Sequence, residues 1–281
     1  MHIEETPTEY TITYDSVGEL AAHGIKHIPE ELETKGYGFN QRRAWYGVRS
    51  MEEMHTLGTQ GWQTEAAEAL EVAERAIEQV DRDFHMPTFH PVWDVAGSEV
   101  DVARYLSREP ENMIDYELVP TTRSGRVIIL CASISYSSAI SQDTIRSRGH
   151  VIAALAFALN TLGFATELWA DMSATGRTGY VMNMRTLVKG PNDSLDPAQI
   201  MMAYAHPATL RGFALPAMYG LPKHLHTTMG VGGGHGTPRS PKEDLPDGTI
   251  YLPAVRSNED LPDAQETLVH YMRELGIIPE N

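Results

Sequence analysis

"RVIILCASISYSS", residues 126–138, is an apolar run that gives way to alternating serines. Val127 to Cys131 are β-favouring or apolar throughout, the pattern of a buried strand, and Ser133, Ser135, Ser137 and Ser138 fall where that strand ends. Next comes "TIRSRGHVIAALAFALNTLG", residues 144–163, with Ile145, Val151, Ile152, Leu155, Leu159 and Leu162 at helical spacing and Gly163 as a C-terminal stop. "FATELWAD", residues 164–171, then reads as a second strand. Strand, helix and strand in this order make a βαβ unit, which predicts a parallel pairing and a right-handed crossover. Further on, "AQIMMAYAHPATLRGFALPAM" reads as helix broken at Pro207, "GTIYLPAV" as strand and "DLPDAQETLVHYMRELGI" as a closing helix. The predicted fold is α/β: a mostly parallel, Rossmann-like central sheet flanked by helices.

The N-terminal part reads differently. "SVGELAAHGI" and "SMEEMHTLGTQGW" each begin with serine, place glutamate in the first turn and reach glycine within two turns, the order of short capped helices. "TEAAEALEVAERAIEQVDRDF" carries Ala66, Leu70, Ala73, Ile77 and Val80 along one face and glutamates on the other. Trp45 and Trp62 are expected to anchor the packing of these helices. Residues 86–113 read as a joint with a short helix at 100–107, and "YELVP" as the first strand beyond it. This divides the chain into an acidic helical appendage, 1–116, and an α/β domain, 117–281.

Charge follows the same division. Of 38 acidic and 22 basic residues, 24 acidic and 9 basic lie before residue 118, so nearly all the formal charge of −16 sits there. Such a surface repels nucleic acid and acidic membranes. The segment 123–189 is the exception, with seven basic residues against three acidic ones, and could hold an anion or a nucleic acid. No apolar run reaches the roughly 18 residues of a membrane span, and the N-terminus lacks the order of a secretory signal, so a cytoplasmic protein is expected. The single cysteine, Cys131, falls inside the apolar run and is expected to be a small buried hydrophobe.

The apolar strand ending in "SISYS", with the helix and strand after it, resembles the start of a von Willebrand factor A-like domain, closest to the variant found beside the AAA+ partner in cobalt chelatases. The resemblance covers residues 126–172 and continues weakly to the C-terminus. "DVAGSEVDVARYLSREPENM" and "RSRGHVIAALAFAL" are similar, more loosely, to proteins of tailed bacteriophages and their actinobacterial hosts, which implies a host-cytoplasmic or virion setting. The von Willebrand resemblance implies a divalent cation, Mg²⁺, at the strand end, held here by Ser133, Ser135 and a carboxylate from Asp171. Serine stands at 133 where that family has aspartate, and neutral hydroxyls alone hold Mg²⁺ weakly.

Two further groups carry chemistry. Ser137, Arg146 and Arg148 form a candidate site for a partner's carboxylate or a phosphate, because guanidinium groups bind both in bidentate fashion. "HLHTTMGVGGGHG", residues 224–236, sets His224, His226 and His235 around a glycine-rich stretch, a candidate metal or anion loop without a Walker or dinucleotide pattern. The favoured function is a non-enzymatic interaction or assembly module, binding a protein partner or another copy through the loop after the first core strand. The alternatives are a Mg²⁺-dependent enzyme acting on phosphate compounds at the serine loop, and a nucleic-acid-binding protein using 123–189.

Overall fold

The computed structural model describes residues 1–28, 39–84, 90–97, 99–117, 127–137, 139–176, 178–231, 237–241, 245–259 and 264–276. Its N-terminus opens with two strands, β1 (His2–Glu5) and β2 (Glu9–Tyr14), paired antiparallel. In β2 the residues Tyr10, Ile12 and Tyr14 are buried while Glu9, Thr11 and Thr13 are not, a period-two alternation with one face in the core. Helices α1 (Val17–Lys26), α2 (Phe39–Tyr46), α3 (Met51–Gln60) and α4 (Gln63–Phe84) follow. The serines read as caps act as caps: Ser16 Oγ accepts from the Glu19 N–H and Ser50 Oγ from the Glu53 N–H, each at 3.1 Å.

Strands β3 (His90–Asp94), β4 (Glu99–Val100) and β5 (Met113–Glu117) form a small antiparallel sheet in the order β3-β5-β4, with helix α5 (Val102–Leu106) between β4 and β5. The central sheet is built from β6 (Val127–Ser133), β7 (Ala165–Thr175), β8 (Val181–Lys189), β9 (Thr237–Pro238) and β10 (Ile250–Leu252) together with β1 and β2. Its order is β1-β2-β8-β7-β6-β10, with β9 added to β7. β6 pairs parallel with β7 and with β10, and β2 pairs parallel with β8, whereas β7 and β8 are antiparallel. The crossover from β6 to β7 is helix α6 (Gln142–Thr161), as the βαβ reading required.

Ile128, Leu130 and Ala132 of β6 and Leu168, Ala170 and Met172 of β7 are all buried, which is the core face of the sheet. α6 packs against β7 and against α4 and α7 (Pro197–Ala205). Its alanines at 153, 154, 156 and 158 are fully enclosed, so small side chains let neighbouring helices approach from several sides. At Gly149 the crossing with α7 is tightest: a Cβ there would lie 2.3 Å from Ala205 Cβ. After α7 the chain turns through a π-helical stretch, Thr209–Ala214, then a short α turn and a 3₁₀ turn ending at Gly220. Helices α8 (Lys223–Met229) and α9 (Ala264–Glu274) complete the fold.

Two sequence expectations are corrected. The boundary at 117 is not a domain boundary and the region before it is not wholly helical: β2, far upstream, pairs with β8 over Glu9↔Val181 to Tyr14↔Thr186 and shares the core, and among the described residues five strands lie within 2–117. The N-terminal region therefore completes the α/β layer instead of hanging from it. "YELVP" supplies part of β5 in the small sheet, not a strand of the central one, and its last residues lie outside those described. Among the described residues no helix is long and apolar enough to cross a membrane.

Candidate functional site

β6 and β10 run parallel and end side by side, Ser133 one residue beyond the Ala132↔Leu252 pair. In α/β sheets ligands bind beyond such carboxyl ends. Here the space is a cleft of about 660 Å³. Its floor is Ser135, Tyr136 and Ser137 after β6 and Pro253 to Arg256 after β10, joined by a parallel bridge between Tyr136 and Val255. Met172 and Ala174 of β7 and residues 237–240 close one side. Trp45 of α2 and Leu210, Arg211 and Leu215 of the turns after α7 close the other.

Of the three arginines that line the cleft, Arg211 is the buried one. It projects from the π-helical stretch, a distortion that often marks functional sites, and is only 5% exposed. Nη1 donates to the Trp45 carbonyl at 3.1 Å, and the guanidinium lies 5.2 Å from the Trp45 ring centre and 5.1 Å from that of Tyr136. The Tyr136 hydroxyl donates to the Pro207 carbonyl at 3.2 Å, which fixes that ring, and burial raises its pKa against the opposing pull of Arg211. Arg211 Nη2, by contrast, is buried without a hydrogen-bond partner. Almost every buried donor in a folded protein is satisfied, and a charged one carries the largest cost when it is not. Arg239 and Arg256 also line the cleft, and among its described lining residues there is no carboxylate.

The proposed Mg²⁺ ligands do not fit a cation. Ser133 and Asp171 are opposite one another in the β6·β7 register, but both are fully buried. Asp171 Oδ2 accepts from the Tyr251 hydroxyl at 3.1 Å. Ser173 Oγ lies 2.6 Å from Asp171 Oδ1 and 2.9 Å from Asn183 Oδ1, sharing its proton between them, and Asn183 in turn donates to Glu9. Ser133 Oγ accepts from the Ser135 N–H at 3.2 Å. Burial pushes the Asp171 carboxyl above its ordinary range, opposed by the hydrogen bonds from Ser173 and Tyr251 and by Arg185. A carboxylate with both oxygens engaged, beside neutral hydroxyls, is a sheet-locking network and not an open coordination site.

Arg148 and Arg146 also leave the serine loop. Arg148 is 6% exposed and ties three carbonyls together, Nη1 donating to Ser133 at 2.5 Å and Nη2 to Leu252 at 3.1 Å and Pro253 at 2.5 Å. It clamps the ends of β6 and β10, and burial lowers its pKa to about 10. Arg146 faces α4, its Nε 3.3 Å from Glu65 Oε1 and its guanidinium 5.5 Å from the Trp62 ring centre. Of the remaining basic residues in 123–189, Lys189 is buried and donates to two carbonyls, Arg185 is half-buried on β8, and Arg123, Arg126 and Arg177 lie outside the described residues. Among the described residues of 123–189, Arg146 and Arg185 are the basic side chains that are not buried. His224 and His226 sit on a helix rather than a loop, and each goes its own way: His224 Nε2 contacts Glu5 Oε1 at 2.7 Å, and His226 Nε2 donates to the Leu221 carbonyl at 2.9 Å. His235 lies outside the described residues. Cys131 is fully buried, as expected, and burial raises its thiol pKa.

Residues 2–278 match the model of a family described as Domain of unknown function (DUF7192). The chain belongs to this family. No curated protein and no solved structure matches it. The DUF7192 match runs through residue 117 without a break, in keeping with a central sheet that draws strands from both sides of that position.

Ser135 and Ser137 line the cleft, while sequence reasoning passed over Arg211. The signal was present. In "ATLRGFALPAM", residues 208–218, arginine is the only charged residue in an otherwise apolar run, and a lone charge at such a place needs a buried partner or a ligand.

Proposed function

We propose that this DUF7192 chain is a non-enzymatic interaction module that grips an anionic group of its partner, a carboxylate or a phosphate, in the cleft beyond β6 and β10. The single observation that carries this reading is Arg211: a guanidinium buried between two aromatic rings, with one nitrogen left without an acceptor at the wall of a cleft. Guanidinium groups favour planar or tetrahedral oxyanions, and Ser135, Ser137 and the backbone of the loops supply neutral polar groups around the same space. Apolar walls from Met172, Leu210 and Leu215 suit the body of a peptide segment or small ligand better than bulk water. Binding is favoured over catalysis because the described lining offers no carboxylate, imidazole, thiol or amine that could exchange a proton near neutral pH. The resemblance to von Willebrand A-like domains is compatible with this use of the strand end, though through arginine instead of a cation.

The test is a thermal melt of the full chain with inorganic phosphate, sulfate and a short glutamate-containing peptide, at constant ionic strength set with chloride. A ligand held only by the folded state raises its stability, by about 2.7 kcal/mol at a concentration one hundred times Kd. A saturable rise with at least one of the three, absent from Arg211→Met, is expected. A response to the peptide but not to phosphate or sulfate identifies a carboxylate partner, and the reverse identifies a phosphorylated one. If none raises the midpoint, or if Arg211→Met responds as the parent does, the reading is wrong.

A further inference from the structure

Away from the cleft, Glu65 and Glu68 on α4 and His150 on α6 bring three ligand atoms within 4.8 Å of one another. Glu65 and Glu68 are three positions apart and so share a helix face, and α6 packs against that face. Glu65 Oε1 and His150 Nε2 are 3.1 Å apart, both buried, and neither makes a hydrogen bond. Glu65 is 4% exposed and His150 8%, whereas Glu68 is exposed. A buried imidazole nitrogen beside a buried carboxylate oxygen, in contact yet without a hydrogen bond, is an arrangement that a shared metal ion would satisfy. Two ligands on one edge of a zinc tetrahedron stand about 3.3–3.6 Å apart, given metal–ligand bonds of roughly 2.0–2.2 Å, so a shift of a few tenths of an ångström would admit the ion.

We propose that Glu65, Glu68 and His150 form a site for a divalent transition-metal ion, with Zn²⁺ the best match. One imidazole with two carboxylates suits Zn²⁺ better than Mg²⁺, which favours oxygen ligands alone and gives up its waters reluctantly. Glu68 faces solvent, so the ion has an entry path and an outward position for water. Arg146 is the competitor. Its Nε lies 3.3 Å from Glu65 Oε1, but its side chain is 43% exposed and rests over Trp62, so it can swing outward as the ion takes over Glu65. The bound ion staples α4 to α6, the helix that leaves β6 at the cleft floor. This site does not depend on the cleft reading, and either can fail without the other.

The experiment uses tag-free full-length protein, stripped with chelator and dialysed. Zn²⁺, Mn²⁺ and Mg²⁺ are titrated separately by calorimetry, with thermal melts at each end point. Zn²⁺ is expected to bind one equivalent and raise the midpoint reversibly, with Mg²⁺ silent. Glu68→Gln, a change at an exposed position, should weaken Zn²⁺ at least tenfold without altering the metal-free melt, and His150→Gln should abolish the response. Arg146→Ala should tighten Zn²⁺, because the guanidinium no longer competes for Glu65. No Zn²⁺ response in the parent, or a response unchanged in both Glu68→Gln and His150→Gln, overturns the proposal. A response weakened rather than strengthened in Arg146→Ala does so too, since it would make the cluster an ion-pair network alone.

Discussion

Two buried arginines, 211 and 148, stand in opposite electrostatic situations, and replacing each by methionine separates a ligand-binding charge from a structural one. Arg148 spends its donors on three carbonyls at the ends of β6 and β10. Methionine there keeps the stem but leaves those carbonyls unmatched. Each charged hydrogen bond is worth about 1.5–3 kcal/mol net, offset in part by release of the buried charge, so a loss of about 3–5 kcal/mol is expected. Arg211→Met gives up one hydrogen bond to Trp45 and two ring contacts. Those losses come to about 2–4 kcal/mol. It also removes a guanidinium buried with an unmatched nitrogen, a penalty of several kcal/mol in itself. The two nearly cancel, and the free protein should change by no more than about 1 kcal/mol, a midpoint shift of about 2–4 °C for a chain of this size. Urea unfolding followed by tryptophan fluorescence measures both variants, with the slope m checked against the parent. If Arg211→Met loses as much as Arg148→Met, Arg211 holds the fold together and the cleft argument collapses. A stable Arg211→Met that no longer responds to anions is the expected signature of a residue kept for binding.

Three further outcomes follow from the packing. Burial lowers the His206 pKa to about 4, so the folded protein keeps it neutral while the unfolded chain takes up a proton below pH 6.5. Its contribution is therefore complete above pH 6.5 and lost on acidification toward pH 4, a change of about 3 kcal/mol by linkage; the pH profile of His206→Gln should be flatter by that amount, and coincident profiles would refute the assignment. Gly149→Leu would force a side chain into the α6·α7 crossing, where even a Cβ meets Ala205 at 2.3 Å; a loss of 3 kcal/mol or more is expected in urea unfolding, roughly the upper end of overpacking costs, and a loss under about 1 kcal/mol would show that the helices can part. Because burial raises the Asp171 carboxyl, ionising it near neutral pH works against folding. Asp171→Asn should be neutral or stabilising at pH 7, the difference shrinking as the pH falls below the folded pKa, while Asp171→Ala strands the Ser173 and Tyr251 hydroxyls and costs about 1–3 kcal/mol. Mg²⁺ should leave the melts of parent and Asp171→Asn alike, and a Mg²⁺-dependent rise in the parent alone would restore the cation reading of the serine loop.

What the sequence by itself determined about this protein was its local grammar. Ser16 and Ser50 announce helices because a cap and the residue three positions on interact within one turn. The run 127–133 announces a buried strand, and the helix after it a crossover, because periodicity and chain connectivity are short-range properties. β2 was missed when the first 116 residues were read as helical: its alternation Tyr10, Ile12, Tyr14 is short, and its partner β8 lies about 170 residues on, where no local pattern names it. Only the tertiary structure decided which charges are spent and which remain available. Arg146, Arg148 and Arg211 end in different surroundings: one pairs with Glu65 across two helices, one is consumed by carbonyls from separate strands, and one is held between two rings in the cleft wall with a buried nitrogen that has no acceptor. Whether a buried polar group is satisfied depends on neighbours brought from distant parts of the chain, and those neighbours exist only once the sheet has set its order and the helices have packed against it.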